Sequence, residues 1–321
     1  MLNYAVYKDF VNKAIGDIRY PESPEGLYQP IAYTLAGGGK RLRSVLVLSV
    51  ADALGLDCSE SINQALGIEI FHNFTLLHDD VMDRADVRRG KPTVHVKWNE
   101  STAILSGDAM LTLAGMYMCR CRGEVLPDVM DLYQRTAMEI YEGQQYDMDF
   151  EQRNDVSTGE YIHMIRLKTA VLLGCACATG ALLAGADAGV RDAFYTYGEQ
   201  LGLAFQLQDD YLDTYGDPKV FGKAVGGDIM NDKKNYLLAK AYELSDGEQR
   251  ATLDAYRGSR DPEKIGIYKE VYAATGVKDD CLNLMKEYVD RAVAALDNAG
   301  LSPEAKAFFV EIAESSLTRQ S

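Results

Sequence analysis

The amino-acid sequence predicts an all-α fold, with residues 1–321 forming a single domain of roughly ten to twelve helices. Two observations carry this. Period-two alternation is nearly absent, whereas helical spacing recurs from end to end in a chain rich in Ala, Leu, Met, Glu and Gln. The interruptions are short, and none has the composition of a linker between domains.

The helical segments are delimited by breaks. In order these are Pro21 to Pro24, Gly37 to Gly39, and residues 55–59, 85–97, 122–128, 152–157, 184–189, 214–227, 258–262 and 299–303. Ser302-Pro303-Glu304 reads as a helix start, with Ser as N-cap and Pro in the first turn. The only internal echo is a paired aspartate motif.

Composition narrows the function classes. A 47% apolar fraction permits a sizeable core. No stretch reads as long and apolar enough to span a membrane, and the N-terminus lacks a signal-peptide layout, so a cytoplasmic location is expected. All six cysteines read as small buried hydrophobes; the pairs Cys119/Cys121 and Cys175/Cys177 lie within helical pattern, where i and i+2 face apart. A net charge of −15 argues against nucleic acid and anionic membrane as partners. It also makes local basic clusters informative.

Residues 71–95 read FHNFTLLHDDVMDRADVRRGKPTVH. On a helix Asp79 and Asp83 stack on one face, and the apolar lead-in turns that face inward. Inward carboxylates need a partner, and a divalent cation suits them. One such motif alone could equally be a solvated helix face. However, Asp209-Asp210-Tyr211-Leu212-Asp213 repeats the spacing, with Gln206 on the same polar stripe. Two complete motifs suggest two walls of one cavity sharing metals. Asp279-Asp280 has Asn283 where a third carboxylate would fall, and reads as surface.

Basic residues gather beside these motifs. Gly37-Gly38-Gly39-Lys40-Arg41-Leu42-Arg43 offers free backbone N–H groups and cations at a helix start, a plausible phosphate cradle or a plain loop. Arg84, Arg88, Arg89 and Lys91 follow the first motif, and suit a polyanion or simply a solvated loop. His72 lies two turns before Asp79, Lys168 sits in a largely apolar helix, and Lys223, Lys233 and Lys234 follow the second motif.

In this order GGGKRLR, LLHDDVMDRADVRRGKPTVH, GQQYD, KTA, FQLQDDYLD and FGKAVGGD resemble the motifs of trans-prenyl diphosphate synthases, over about residues 37–240. The resemblance implies the type I isoprenoid synthase fold, a helical bundle around a central cavity, usually as a homodimer. It implies Mg²⁺-dependent condensation of isopentenyl diphosphate with allylic diphosphates (dimethylallyl, geranyl, farnesyl). Asp79 and Asp83, supported by Asp80, match ligands of two Mg²⁺ ions; Asp209, with Asp210 and Asp213 nearby, matches the ligand of a third. Arg88, Lys168, Lys223 and Lys233 match the allylic diphosphate site. Gly39, Lys40, Arg43, His72 and Arg89 match the isopentenyl diphosphate site. Thr169 and Gln206 match the pair beside the reacting carbon, and Gln144 and Asp147 a support for it.

Product length is expected to be set on the helix before Asp79. Phe74 and Phe71 lie one and two turns back, and Thr75 stands where farnesyl enzymes of one pattern carry a second aromatic. The pattern resembles short-chain geranylgeranyl enzymes, with farnesyl diphosphate or a longer product as the alternative. A terpene cyclase would have no use for GGGKRLR and Arg89, and a silent regulatory subunit would not keep both Asp motifs intact.

Overall fold

The computed structural model describes residues 2–217 and 225–318. Eleven helices of eleven residues or more run through them: Tyr4–Gly16, Glu25–Leu35, Leu42–Ala53, Cys58–Met82, Glu100–Met118, Leu126–Glu151, Thr158–Leu183, Ala188–Tyr215, Glu263–Thr275, Val277–Ala295 and Pro303–Thr318. Four shorter helices are Val94–Lys97, Gly227–Met230, Tyr236–Leu244 and Gly247–Tyr256. The sequence pattern missed the stop at Ser245, where Asp246 and Gln249 form a reciprocal cap, and the stop at Gly276, which takes a φ of 72°. It also missed a small hairpin, Val87–Arg88 against Lys91–Pro92, turned by Arg89 and Gly90 at φ 51° and 73°.

The described residues group into two compact units. Unit one holds residues 1–134, 175–194 and 301–305; unit two holds 135–174, 195–300 and 306–321. In unit one the helix Leu42–Ala53 is buried continuously from Ser44 to Ala51. Beside it Cys58–Met82 packs closely on Glu100–Met118. A Cβ on Gly67 would lie 2.7 Å from Met118 Sδ, and one on Gly107 would lie 2.1 Å from His78 Nε2, so glycine at each position makes room for the side chain that packs there. In unit two, Gly198 and Gly202 of Ala188–Tyr215 lie directly on the backbone of Leu173 and Ala170. Tyr197 donates to the Phe309 carbonyl at 2.8 Å and ties in the C-terminal helix.

Two expectations are corrected here. The helix Thr158–Leu183 is long and apolar enough to cross a membrane, but 83% of its apolar window is buried within the protein; its residues fill the core. Of the cysteines, Cys175, Cys177 and Cys281 are buried, whereas Cys58 and Cys121 are half-buried and Cys119 is exposed. The helix Glu100–Met118 stops before the Cys119/Cys121 pair, so neither sits on an inward helical face.

Candidate active site

Unit one carries the first aspartate motif at the end of a long helix. Met82 is the last helical residue, and Asp83 caps the helix with its N–H on the Asp79 carbonyl at 2.8 Å. Asp79 and Asp83 therefore remain one turn apart. Asp80 turns inward: it is 5% exposed and accepts from Arg88 Nε at 2.8 Å. Burial pushes the Asp80 pKa up, against the opposing charge of Arg88. The hairpin bearing Arg88 and Arg89 is anchored where Tyr33 donates to the Pro92 carbonyl at 2.8 Å and Thr93 to the Ala85 carbonyl at 2.7 Å. A small cleft beside it is lined by Asp80, Arg88, Arg89, Lys91, Gly37 and Thr34 among others.

The glycine loop meets this hairpin. Arg89 Nη1 donates to the Gly38 carbonyl, and Gly39, at φ 130°, leaves just enough room for the Arg89 guanidinium, 3.2 Å from where a Cβ would be. Arg43 Nη1 stands 3.3 Å from His72 Nε2. Burial first, then the charges of Arg43, Arg89, Arg88 and Arg41, hold His72 well below its usual pKa. A neutral imidazole among arginines fits a pocket prepared for an anion. Gly39, Arg43, His72 and Arg89 thus lie close together. Lys40 is exposed, and its carbonyl accepts from Tyr4. Arg41, in the same motif, is structural: buried at φ 57°, it pairs with Glu69 at 2.8 Å and donates to the Leu35 carbonyl at 2.7 Å. Removing one partner of such a buried pair costs roughly 3–5 kcal/mol.

The residues expected to limit product length form an aromatic row in unit one. Phe71 is fully buried, 5.5 Å from the rings of both Phe74 and Tyr133, and Phe74 meets His78 edge-on at 4.8 Å. Thr75 is half-buried, with its hydroxyl on the His72 carbonyl at 2.9 Å.

Unit two carries the second motif. Asp209 and Asp213 are half-buried on the helix Ala188–Tyr215, but Asp210 is turned out of the expected polar stripe and into the core, 4% exposed. It accepts from Tyr161 Oη at 2.5 Å, the Tyr236 N–H at 3.2 Å and Gln206 Nε2 at 3.2 Å. Burial, then the charge of Asp228, pushes its pKa up to about 7. Because Gln206 gives its amide N–H to Asp210, its oxygen faces Thr169, whose hydroxyl donates at 3.2 Å. Asp213 accepts from the Asp228 N–H at 2.9 Å and fixes the short helix Gly227–Met230. Lys233 lies just beyond, its N–H on the Asp228 carbonyl at 2.9 Å, whereas Lys223 lies outside the described residues.

Lys168 and Thr169 sit on a π-helical turn, Arg166–Ala170, inside Thr158–Leu183. Such a turn widens the backbone and re-aims side chains, and is common at functional sites. It is met by Gly143, and four residues along the same helix Asp147 pairs with Lys168 Nζ at 2.6 Å. Gln144 is half-buried one turn before Asp147. Sequence inspection missed Tyr161 as part of this arrangement, and gave Gly143 and Asp228 no role of their own within GQQYD and FGKAVGGD. The signal for Tyr161 was its place two turns before Lys168 on an inward face.

Among the described residues, no three carboxylate, imidazole or thiolate groups gather into a complete metal-binding set. Each motif offers a few aspartate oxygens instead, next to lysine or arginine. Helical carboxylates and cations set out in this way suit an all-helical enzyme of diphosphate chemistry. Comparison with known proteins gives the family: the polyprenyl synthetase model matches residues 24–275. A geranylgeranyl diphosphate synthase of Methanosarcina mazei is 36% identical over 97% of this chain and 95% of its own. A crystal structure of a geranylgeranyl pyrophosphate synthase superposes with a TM-score of 0.94 at 40% identity, covering all of both chains. That of the geranylgeranyl pyrophosphate synthetase from Pyrococcus horikoshii gives 0.93 at 30% identity, covering 98% of each. The chain belongs to the polyprenyl synthetase family of prenyltransferases.

Proposed function

We propose that this chain condenses isopentenyl diphosphate head-to-tail with allylic diphosphates and makes geranylgeranyl diphosphate, the twenty-carbon product. The observation that carries the reading is the shared layout of the two motifs: in each, the middle aspartate is buried against protein partners, while the first and last are less buried. Asp79, Asp83 and Asp209 are then the metal ligands, with Asp80, Asp210 and Asp213 holding them in place. The donor set fits Mg²⁺, which takes oxygen ligands, accepts one or two carboxylates and is completed by water and substrate phosphates. Three such ions, when bound, supply positive charge to the leaving pyrophosphate.

The chain's own residues do the rest. Lys168, Lys233, Lys223 and Arg88 bind the allylic diphosphate and stabilise charge growing on it as the carbon–oxygen bond breaks. Arg43, Arg89, His72, Lys40 and the Gly39 backbone hold isopentenyl diphosphate, so that its double bond attacks the allylic cation. The Thr169 and Gln206 oxygens, oriented through Asp210, face that cation. Asp147 steadies Lys168, and Gln144 stands one turn before Asp147 as a support for the same region. The proton lost from the adduct passes to the departing pyrophosphate, leaving a new allylic diphosphate five carbons longer.

Phe71 and Phe74 close the path of the growing tail, which supports the twenty-carbon product with the fifteen-carbon one second. Both units serve one catalytic domain, since four of the five unit boundaries fall inside helices. Exposed Leu105 and Met116 on one helix face support a homodimer. A cytoplasmic location fits diphosphate substrates. Purified protein given Mg²⁺, isopentenyl diphosphate and each allylic diphosphate should yield linear geranylgeranyl diphosphate by mass spectrometry. A cyclic hydrocarbon, or no turnover, would overturn the assignment.

A further inference from the structure

The segment that carries Lys233 is clamped from a part of the chain in which the sequence showed no motif. Asp232 holds a left-handed φ of 53°, a conformation that disfavours any residue with a Cβ. Its Oδ1 lies 2.7 Å from the ammonium of Lys264, which is completely buried. Its Oδ2 accepts from the Gly258 N–H at 2.9 Å, and its carbonyl accepts from Lys234 Nζ at 3.1 Å. One residue earlier, Asn231 accepts from Arg260 at 3.1 Å. Each half of the central pair accounts for the other. A buried ammonium is untenable without a carboxylate. A strained aspartate persists where its surroundings over-determine it, and such strain gathers at functional sites.

We propose that the Lys264–Asp232 pair is a positioning device that locks Lys233 in place for the allylic diphosphate. This rests on the reading of Lys233 as an allylic-diphosphate ligand. Lys264 stands thirty-one residues further along the chain and touches no substrate in this scheme. Its role is to fix the backbone turn immediately before Lys233, while Asp213 fixes the segment's other end through Asp228. The pair therefore governs one substrate and not the other, which a general contribution to stability would not do.

Steady-state kinetics on the full-length chain, varying each substrate separately, tests this with Lys233→Ala, Lys264→Met, Asp232→Gly and the double variant Asp232→Gly/Lys264→Met. Lys264→Met should raise the allylic KM by about tenfold or more, since a misplacement of ~1 Å in a positioning group can cost ~10²-fold. The isopentenyl diphosphate KM should stay unchanged. The double variant should recover most of the loss, because glycine takes the left-handed turn without strain and no charge is left buried alone. Equal rises in both KM values, or a double variant no better than Lys264→Met, would overturn the proposal. If Lys264→Met does not fold, a folded double variant with a near-normal allylic KM supports it and an unfolded one overturns it. An unchanged allylic KM in Lys233→Ala sinks the role of Lys233 and the proposal with it. A raised value there with a normal one in Lys264→Met overturns the positioning alone.

Discussion

Gly143→Ala should damage catalysis while leaving the helices intact. A Cβ at residue 143 would lie 2.3 Å from Lys168 N, 2.7 Å from its Cα and 2.8 Å from the Leu167 carbonyl carbon. All three are backbone atoms, so no rotamer change relieves the clash. Ordinary contact begins near 3.4 Å, so the helix Leu126–Glu151 and the π-turn must part by about 1 Å (3.4 − 2.3 = 1.1). Asp147, one turn along that helix, moves with it, and its 2.6 Å pair with Lys168 opens. Misplacement on this scale costs ~10²-fold in turnover. Overpacking should cost a further ~1–3 kcal/mol of stability. The control is Gly266→Ala: no atom stands within 4 Å of its Cβ position, and it lies inside the helix Glu263–Thr275, so it should be neutral or slightly stabilising. Product formation under saturating substrates, with circular dichroism and thermal unfolding of both variants, makes the comparison. A Gly143→Ala enzyme with wild-type kcat would refute the reasoning, because it would show that the Lys168–Asp147 geometry does not matter.

Asp79→Ala or Asp209→Ala should lower kcat by at least ~10²–10³ with the fold retained by circular dichroism, as expected for removal of a preorganised electrostatic group; full activity in EDTA would sink the metal role. Phe74→Ala or Phe71→Ala should shift products to longer chains by mass spectrometry, at ~3–5 kcal/mol of stability each; no lengthening in either would move the floor elsewhere, with residues 109–116 next to examine. His72 should remain neutral well below pH 6.5 by NMR titration of the free enzyme. Its folded pKa is depressed, so its contribution to stability is fully present above the unfolded pKa of ~6.5 and is lost as pH falls from there toward the folded value; denaturant midpoints of wild type and His72→Gln, compared from pH 8 to pH 5, should converge as the pH falls.

Much of this protein was legible in its sequence. Helical spacing and short breaks gave the all-α class because periodicity is a local property of the backbone. The aspartates stood out because charge on an apolar helix demands a partner, and the two motifs repeat one spacing. The glycine loop and the arginine pair were visible for the same reason: unusual backbone and concentrated cations leave local marks. Only tertiary structure decided which member of each Asp-Asp pair turns inward. DDVMD and DDYLD are equivalent as patterns, and a rotation of 100° per residue separates neighbours on both. The choice depends on what packs alongside: Arg88 from a hairpin for Asp80, Tyr161 and the Tyr236 N–H for Asp210. Arg41 and Arg43 likewise read alike, yet Glu69 draws the first into the core. Gly143, Gly198 and Gly202 resemble any helical glycine until another backbone is found within 3 Å of each missing Cβ. Such contacts join residues far apart in the chain, and no local rule encodes them.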